Sequence, residues 1–224
     1  MTALARTAVV VPARDEADAI GSVVGELRAA GAMRVIVVDN GSGDGTDRVA
    51  TRAGADVVHE ARPGYGWSCA AGMRAAEGCE LIGFFDGDGS FAACDLASLA
   101  ELVASGSADL ALGAREGALP LHQRAGNALV LAGLRALYGL ALPDVAPLRV
   151  ARADLLAALQ MRGSRYAWLV EMLAKAARRR ARIAVRGVRY GARLGGRSKV
   201  SGTLRGSALA GGDFVRALIE FRDW

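Results

Sequence analysis

A chain of 224 residues, 52% hydrophobic and 23% charged, is long enough to bury one large α/β core. Its three cysteines, at 69, 79 and 94, lack C-x-x-C spacing and speak against a zinc site or disulfide framework and for a reducing, cytoplasmic setting. The net charge of +5 hides a split: residues 1–114 hold 8 Arg against 16 acids (net −8), residues 115–224 hold 20 Lys and Arg against 7 acids (net +13). The second half is therefore suited to an anion. With 5% aromatics and no helix-turn-helix, zinc-finger or basic-aromatic signature, that anion is a phosphorylated substrate or an anionic membrane surface, not nucleic acid.

In chain order, Thr7 to Val11 is an apolar β-branched run that predicts a strand, and Glu16 to Ala30 carries Ala19, Ile20, Val23, Val24 and Leu27 at helical spacing. Only Arg6 precedes that first strand as a basic residue, so no signal peptide is expected. Val35 to Asp39 predicts the second strand, Asp44 to Ala53 a helix with acids in its first turn, and Ala55 to His59 a third strand. A helix over Tyr65 to Glu77, a strand over Leu81 to Phe85, a helix over Cys94 to Ser105 and a strand over Asp109 to Leu112 follow. Alternation of this kind implies a mostly parallel sheet covered on both faces.

After Gly113 the rhythm changes. Gly117 to His122 reads as a turn, Arg124 to Tyr138 as a helix, and Pro143 to Val150 as irregular or strand. Helices at Ala153 to Gln160 and Tyr166 to Arg180 precede a strand at Ile183 to Tyr190, a glycine-rich basic loop at Gly191 to Gly202, and a last amphipathic helix at Thr203 to Phe221. The longest membrane-span candidate, Ala125 to Leu142, carries Asn127 and Arg135 and reads as a buried amphipathic helix. No linker or repeat interrupts the chain, so one domain is expected, with the cysteines, Met161, Met172 and Trp67 as packing residues.

The chemistry concentrates where the fourth strand ends in Asp86-Gly87-Asp88. Open α/β sheets bind ligands at the carboxyl ends of their strands. Two acids one residue apart repel each other unless a cation lies between them, which suits Mg²⁺ or Mn²⁺ carrying a diphosphate; the alternative is a surface turn. Asp39 ends the second strand at the same edge and could accept from a ribose or base, with Pro12, Ala13, Arg14 and Glu16 framing the base, or serve a plain turn. Gly41-Ser42-Gly43-Asp44-Gly45 is not G-x-G-x-x-G and no P-loop occurs, which sets aside dehydrogenases and P-loop enzymes.

Val9-Val10-Val11-Pro12-Ala13-Arg14-Asp15-Glu16, Val35-Ile36-Val37-Val38-Asp39-Asn40-Gly41-Ser42-Gly43-Asp44-Gly45-Thr46 and Phe85-Asp86-Gly87-Asp88-Gly89 resemble the nucleotide-sugar motifs of family 2 glycosyltransferases. Gly113-Ala114-Arg115, His122-Gln123-Arg124-Ala125-Gly126-Asn127, Trp168-Leu169-Val170-Glu171-Met172 and Gly195-Gly196-Arg197-Ser198-Lys199-Val200-Ser201-Gly202 are similar to the dolichyl-phosphate mannose and glucose synthase branch. The resemblance implies a GT-A fold and inverting transfer of a hexose from a UDP- or GDP-sugar to a polyprenyl phosphate, at the cytoplasmic membrane face.

By position, it places Pro12, Glu16, Asp39 and the Gly41 loop on the nucleoside, and Asp86, Gly87 and Asp88 on metal and diphosphate. Arg115, Arg124, Arg197 and Lys199 fall to phosphate groups, with His122, Trp168, Glu171 and Ser198 on the acceptor side. Departures occur: Ser90 stands where relatives often carry a metal-assisting Gln, and Asp144-Val145-Ala146-Pro147-Leu148-Arg149 replaces D-x-G-P-F-R. A phosphate acceptor needs orientation and charge neutralisation more than a base. A soluble hydroxyl acceptor would need one, from Asp144, Glu171 or His122. A non-catalytic nucleotide-sugar or membrane-binding protein is the reading from another class.

Overall fold

The structure is a computed structural model that describes residues 2–117, 121–162, 165–195, 212–214, 216–222 and 224, without the side chains of residues 121–123. Strands β1 (Thr7–Ala13), β2 (Arg34–Asp39), β3 (Asp56–His59) and β4 (Leu81–Phe84) alternate with helices α1 (Ala17–Ala29), α2 (Thr46–Arg52) and α3 (Tyr65–Ala75). After α4 (Ala93–Ala104) and β5 (Leu110–Glu116) come α5 (Leu121–Tyr138), β6 (Leu148–Arg152), α6 (Ala153–Leu159), α7 (Ala167–Arg178) and β7 (Ile183–Arg189). All seven strands join one sheet in the order β3-β2-β1-β4-β6-β5-β7.

The expected α/β architecture is present, and its apolar runs explain it. Val9, Val11, Val35 and Val37 pack on one face with α1 and α4, while Val10, Ile36 and Val38 pack on the other with α3, α5 and α7. Strand side chains alternate between faces, so a strand covered on both sides must be apolar throughout, as β1 and β2 are.

One strand departs from the parallel pattern. Residues 143–150, expected as irregular or strand, become strand only at Leu148, and β6 runs antiparallel to both neighbours, pairing Phe84 and Leu112 with Arg149. The chain returns from α5 to the carboxyl edge of the sheet, so β6 starts where β4 and β5 end. Arg149 is buried there and donates to the carbonyls of Ala146 (2.6 Å), Leu169 (2.9 Å) and Val145, which ties the 143–147 segment to α7.

The helix expected to be buried is largely exposed. In α5 only Val130 and Leu134 are buried among the described side chains, whereas Leu129 is 62% and Leu137 37% exposed. Its inner face holds the C-terminal helical segment (212–214 and 216–220): Tyr138 Oη donates to the Leu218 carbonyl at 2.8 Å, and a Cβ on Gly133 would stand 2.5 Å from Leu218 Cδ1. Among the described residues no helix is long and apolar enough to cross a membrane. Cys69 and Cys79 are buried, but Cys94 is exposed and is no packing residue.

Candidate active site

β1, β2 and β4 end at one edge, and that edge holds the donor-side residues. Asp39, 6% exposed, accepts from the Ser42 amide (3.3 Å) and lies 3.6 Å from His59 Nδ1, while its Oδ1 is buried with no hydrogen-bond partner among the described residues. A buried carboxylate oxygen without a donor is costly, so this atom suits a hydroxyl or N–H supplied by a ligand. The β1–α1 loop is clipped to the β2–α2 loop beside it. Asp15 N donates to Ser42 Oγ (3.0 Å), Gly43 N to Asp15 Oδ1 (2.9 Å), and Glu16 N to Thr46 Oγ1 (2.8 Å). Asp15 takes a left-handed φ of 47° and Gly41 one of 77° to make the clip. Ala13 pairs with Asp39 in the sheet and Pro12 with Val38, Glu16 follows at the start of α1, and Arg14 is exposed.

The D-x-D pair follows at the end of β4. Asp88 is 7% exposed; its Oδ1 accepts from Ser90 N (2.9 Å) and Oγ (2.6 Å), so Ser90 acts on this site by orienting Asp88. Its Oδ2 accepts from Arg193 Nη1 at 2.6 Å, and the same guanidinium donates through Nη2 to Glu16 Oε1 at 2.5 Å. The 191–195 segment hangs on the acidic loop through Gly191 N to Ser90 O and Leu194 N to Asp88 O, both 2.9 Å. Gly89, at φ 75°, leaves the space that the Leu194 side chain fills.

Asp86 is half-buried, and its carboxyl is pushed up to about 7, first by desolvation and then by the charge of Asp88. Gly87 lets the pair approach β1: a Cβ there would lie 3.4 Å from the Pro12 carbonyl oxygen. Among the described residues no cluster of three or more His, Cys, Asp or Glu is set to hold a metal. Two carboxylates alone fit Mg²⁺ or Mn²⁺, which commonly complete their shells with substrate phosphates and water.

Arg115, near the end of β5, stands across β6 from these acids. Asp144, 4% exposed, accepts from Arg115 N (3.1 Å), Nε (2.8 Å) and Nη2 (2.8 Å), and from Asn127 Nδ2 (3.0 Å). Burial pushes the Asp144 carboxyl up, but the hydrogen bonds and charge of Arg115 outweigh it and hold the group below its ordinary range. A carboxylate so occupied positions an arginine and is a poor proton acceptor, which speaks against a base role for Asp144.

Two residues expected on the acceptor side are buried. Trp168 is fully buried, with ring contacts to Phe84 (4.8 Å) and Tyr65 (6.3 Å), and Glu171, 1% exposed, accepts from Lys175 Nζ (2.7 Å) and Arg162 N (2.9 Å). Both side chains belong to α7, and neither faces the surface. Arg124 is exposed on the first turns of α5. The side chain of His122, and Arg197, Ser198 and Lys199 entirely, lie outside the described residues. Arg193 carried no expectation at all, although it touches Asp88.

Carboxylates at the end of β4, one strand away from a fixed arginine on β5, are the arrangement of a GT-A glycosyltransferase. Residues 8–120 match the family described as Glycosyl transferase family 2, and the chain belongs to that family. It is 40% identical over 214 residues, 94% of this chain and 96% of the relative, to an uncharacterized glycosyltransferase of Mycobacterium tuberculosis. It is also 32% identical over 223 residues, 91% of each chain, to the undecaprenyl-phosphate mannosyltransferase of Micrococcus luteus. In fold it is similar to glucosyl-3-phosphoglycerate synthase of Mycobacterium tuberculosis, solved with Mn²⁺, UDP-glucose and phosphoglyceric acid. The TM-score is 0.83 at 22% identity, covering 96% of this chain and 79% of that one.

Proposed function

We propose that this glycosyltransferase moves a hexosyl group from a UDP- or GDP-sugar to a polyprenyl phosphate, with Mg²⁺ or Mn²⁺ bound at Asp86 and Asp88. The observation that carries the reading is the pairing of a D-x-D site with an arginine immobilised by a buried carboxylate. The acids suit a metal-bound diphosphate, and Arg115 suits a second phosphate. The relative named for undecaprenyl phosphate and the neighbour solved with phosphoglyceric acid both carry a phosphate on the named acceptor.

The chain then divides its labour as one GT-A domain, residues 1–114 serving the donor and 115–224 the acceptor. Asp39 and Glu16 hold the nucleoside, and Asp86 and Asp88 would hold a metal that, when bound, would neutralise charge on the leaving diphosphate. Arg115, with Arg124 on the first turns of α5, orients the acceptor phosphate, which is already anionic and needs no base. Its oxygen bonds to the anomeric carbon from the face opposite the diphosphate, whose bond to that carbon breaks, so the configuration inverts. The basic second half fits work at the surface of an anionic membrane, on its cytoplasmic side.

A soluble phosphorylated acceptor is the second reading, favoured by the likeness in fold to the phosphoglycerate enzyme. The test is a screen of UDP- and GDP-hexoses for metal-dependent nucleoside diphosphate release, with undecaprenyl phosphate, with 3-phosphoglycerate and with neither. Stimulation by undecaprenyl phosphate supports the first reading. Stimulation by phosphoglycerate alone overturns it.

A further inference from the structure

Between α5 and the C-terminal helical segment lies an open groove of about 800 Å³, a volume in the usual range of ligand sites, about 300–1,000 Å³. Leu129, Val130 and Ile219 line it, and Gly126 and Gly212 widen it by contributing no side chain. Leu129 is 62% and Ile219 66% exposed, so two large apolar side chains face water without helping the fold. Leu129, Gly133 and Leu137 recur every four residues and form one stripe along α5. The Arg216–Glu220 pair (3.5 Å) gives the groove one polar rim, and the rest of its lining is apolar or glycine, a lining that suits a hydrocarbon chain.

Its position ties it to the acceptor arginine. Gly126 immediately precedes Asn127, whose amide donates to Asp144 Oδ1 at 3.0 Å, and Asp144 fixes Arg115. A phosphate at Arg115 would therefore have its substituent leave beside the first turns of α5. In sequence, the stretch between Asp154 and Asp213 holds 13 Lys and Arg against a single acid, Glu171, a balance that suits a chain working on an anionic lipid.

We propose that this groove seats the isoprenoid chain of the acceptor, with the phosphate at Arg115 and the hydrocarbon running along α5 between Leu129 and Ile219. The proposal rests on the polyprenyl phosphate reading and adds where the lipid lies. Chain length becomes a determinant of binding: a prenyl phosphate too short to enter the groove binds through its phosphate alone.

The experiment compares undecaprenyl phosphate with dimethylallyl phosphate, one isoprene unit long, in detergent, for wild type, Leu129→Glu, Ile219→Glu and a control, Met33→Glu, at a remote side chain 52% exposed. The two groove variants should raise the KM for undecaprenyl phosphate at least about tenfold, the scale of one leucine side chain removed from apolar contact. KM for dimethylallyl phosphate, slow hydrolysis of the donor and the thermal unfolding temperature should stay unchanged, as should every property of the control. Equal KM values for undecaprenyl phosphate in wild type and both variants would overturn the groove while leaving the acceptor class standing. So would a dimer in light scattering that Leu129→Glu dissociates, because a second copy would then cover the groove. Transfer to neither prenyl phosphate would overturn the acceptor class, and the groove proposal with it.

Discussion

At the residue scale the donor-side edge is a set of charges held in unfavourable company, and its behaviour follows from that. Asp88 is fixed by Ser90 with one oxygen turned to a cation. Asp88→Asn preserves shape and most hydrogen bonds but removes the charge a metal needs. Transfer should fall by at least about two orders of magnitude, on the scale of lost electrostatic stabilisation, with an unchanged unfolding temperature; nucleoside diphosphate release under saturating Mn²⁺ is the measurement. Arg193 now occupies the Asp88 oxygen that faces outward. A divalent ion arriving there must displace it, so Arg193→Ala should bind Mn²⁺ several-fold more tightly in the absence of donor, read by the free-ion signal in electron paramagnetic resonance.

Asp86 gives the same site a pH dependence. Its carboxyl, raised to about 7, keeps a proton in the folded protein through a range where the unfolded chain has lost it. The metal-free fold therefore loses stability as pH rises through that range, and the metal binds the ionised form. Mn²⁺ affinity should climb between pH 5.5 and 7 by about tenfold or more and level off above. Calorimetric titration at pH 5.5, 7 and 8 checks it, and a flat profile in wild type would remove Asp86 from the metal.

At the element scale, α3 lies closely on β1 because Gly72 has no side chain. A Cβ there would overlap Val10 Cγ1 and come within 3.1 Å of Val10 Cβ, and a β-branched side chain has no freedom to retreat. Gly72→Ala should cost about 1–3 kcal/mol through overpacking, despite the better helix propensity of alanine. Thermal or urea unfolding reads that cost directly. Because β1 ends in Pro12 and Ala13 beside Asp39, the same variant should weaken nucleotide binding, an effect that simple loss of stability would not produce well below the melting temperature.

At the scale of the whole molecule, what could be read in advance was whatever repeats locally. Val35 to Val38 and Leu81 to Phe84 announce buried strands by composition, and each ends at once in the acid that matters, Asp39 or Asp86. Links between distant parts leave no local mark. Arg193 meets Asp88 across 105 residues and Glu16 across 177, and nothing in its neighbours singles it out. Trp168 and Glu171 look like site residues in a motif, yet the hydrophobic face of α7 carries them inward, and Lys175 one turn later balances the buried acid. β6 was blurred because Leu148 to Arg152 includes two arginines, and only the carbonyls waiting for Arg149 make it a core strand.

That inserted strand also governs how the protein can be made. β5 and β7 touch the remaining strands only through β6, which completes both β4 and β5 by pairing against them. A ribosome that has released residues 1–147 has therefore produced the whole acidic edge and the arginine of β5, but no continuous sheet: one edge of β4 and both edges of β5 are unpaired, and Leu148 to Arg152 must emerge before β4 and β5 can be joined. Open edges of apolar strands invite pairing with other chains. Residues 1–147 expressed alone should accordingly be insoluble or bound to chaperones, and adding residues 148–224, which supply β6, β7 and the C-terminal segment packed on α5, should restore a soluble, cooperatively unfolding protein, as fractionation and circular dichroism would show. The two halves of the chain are thus joined by the order of synthesis, and neither can be exchanged as a cassette without the strand that lies between them.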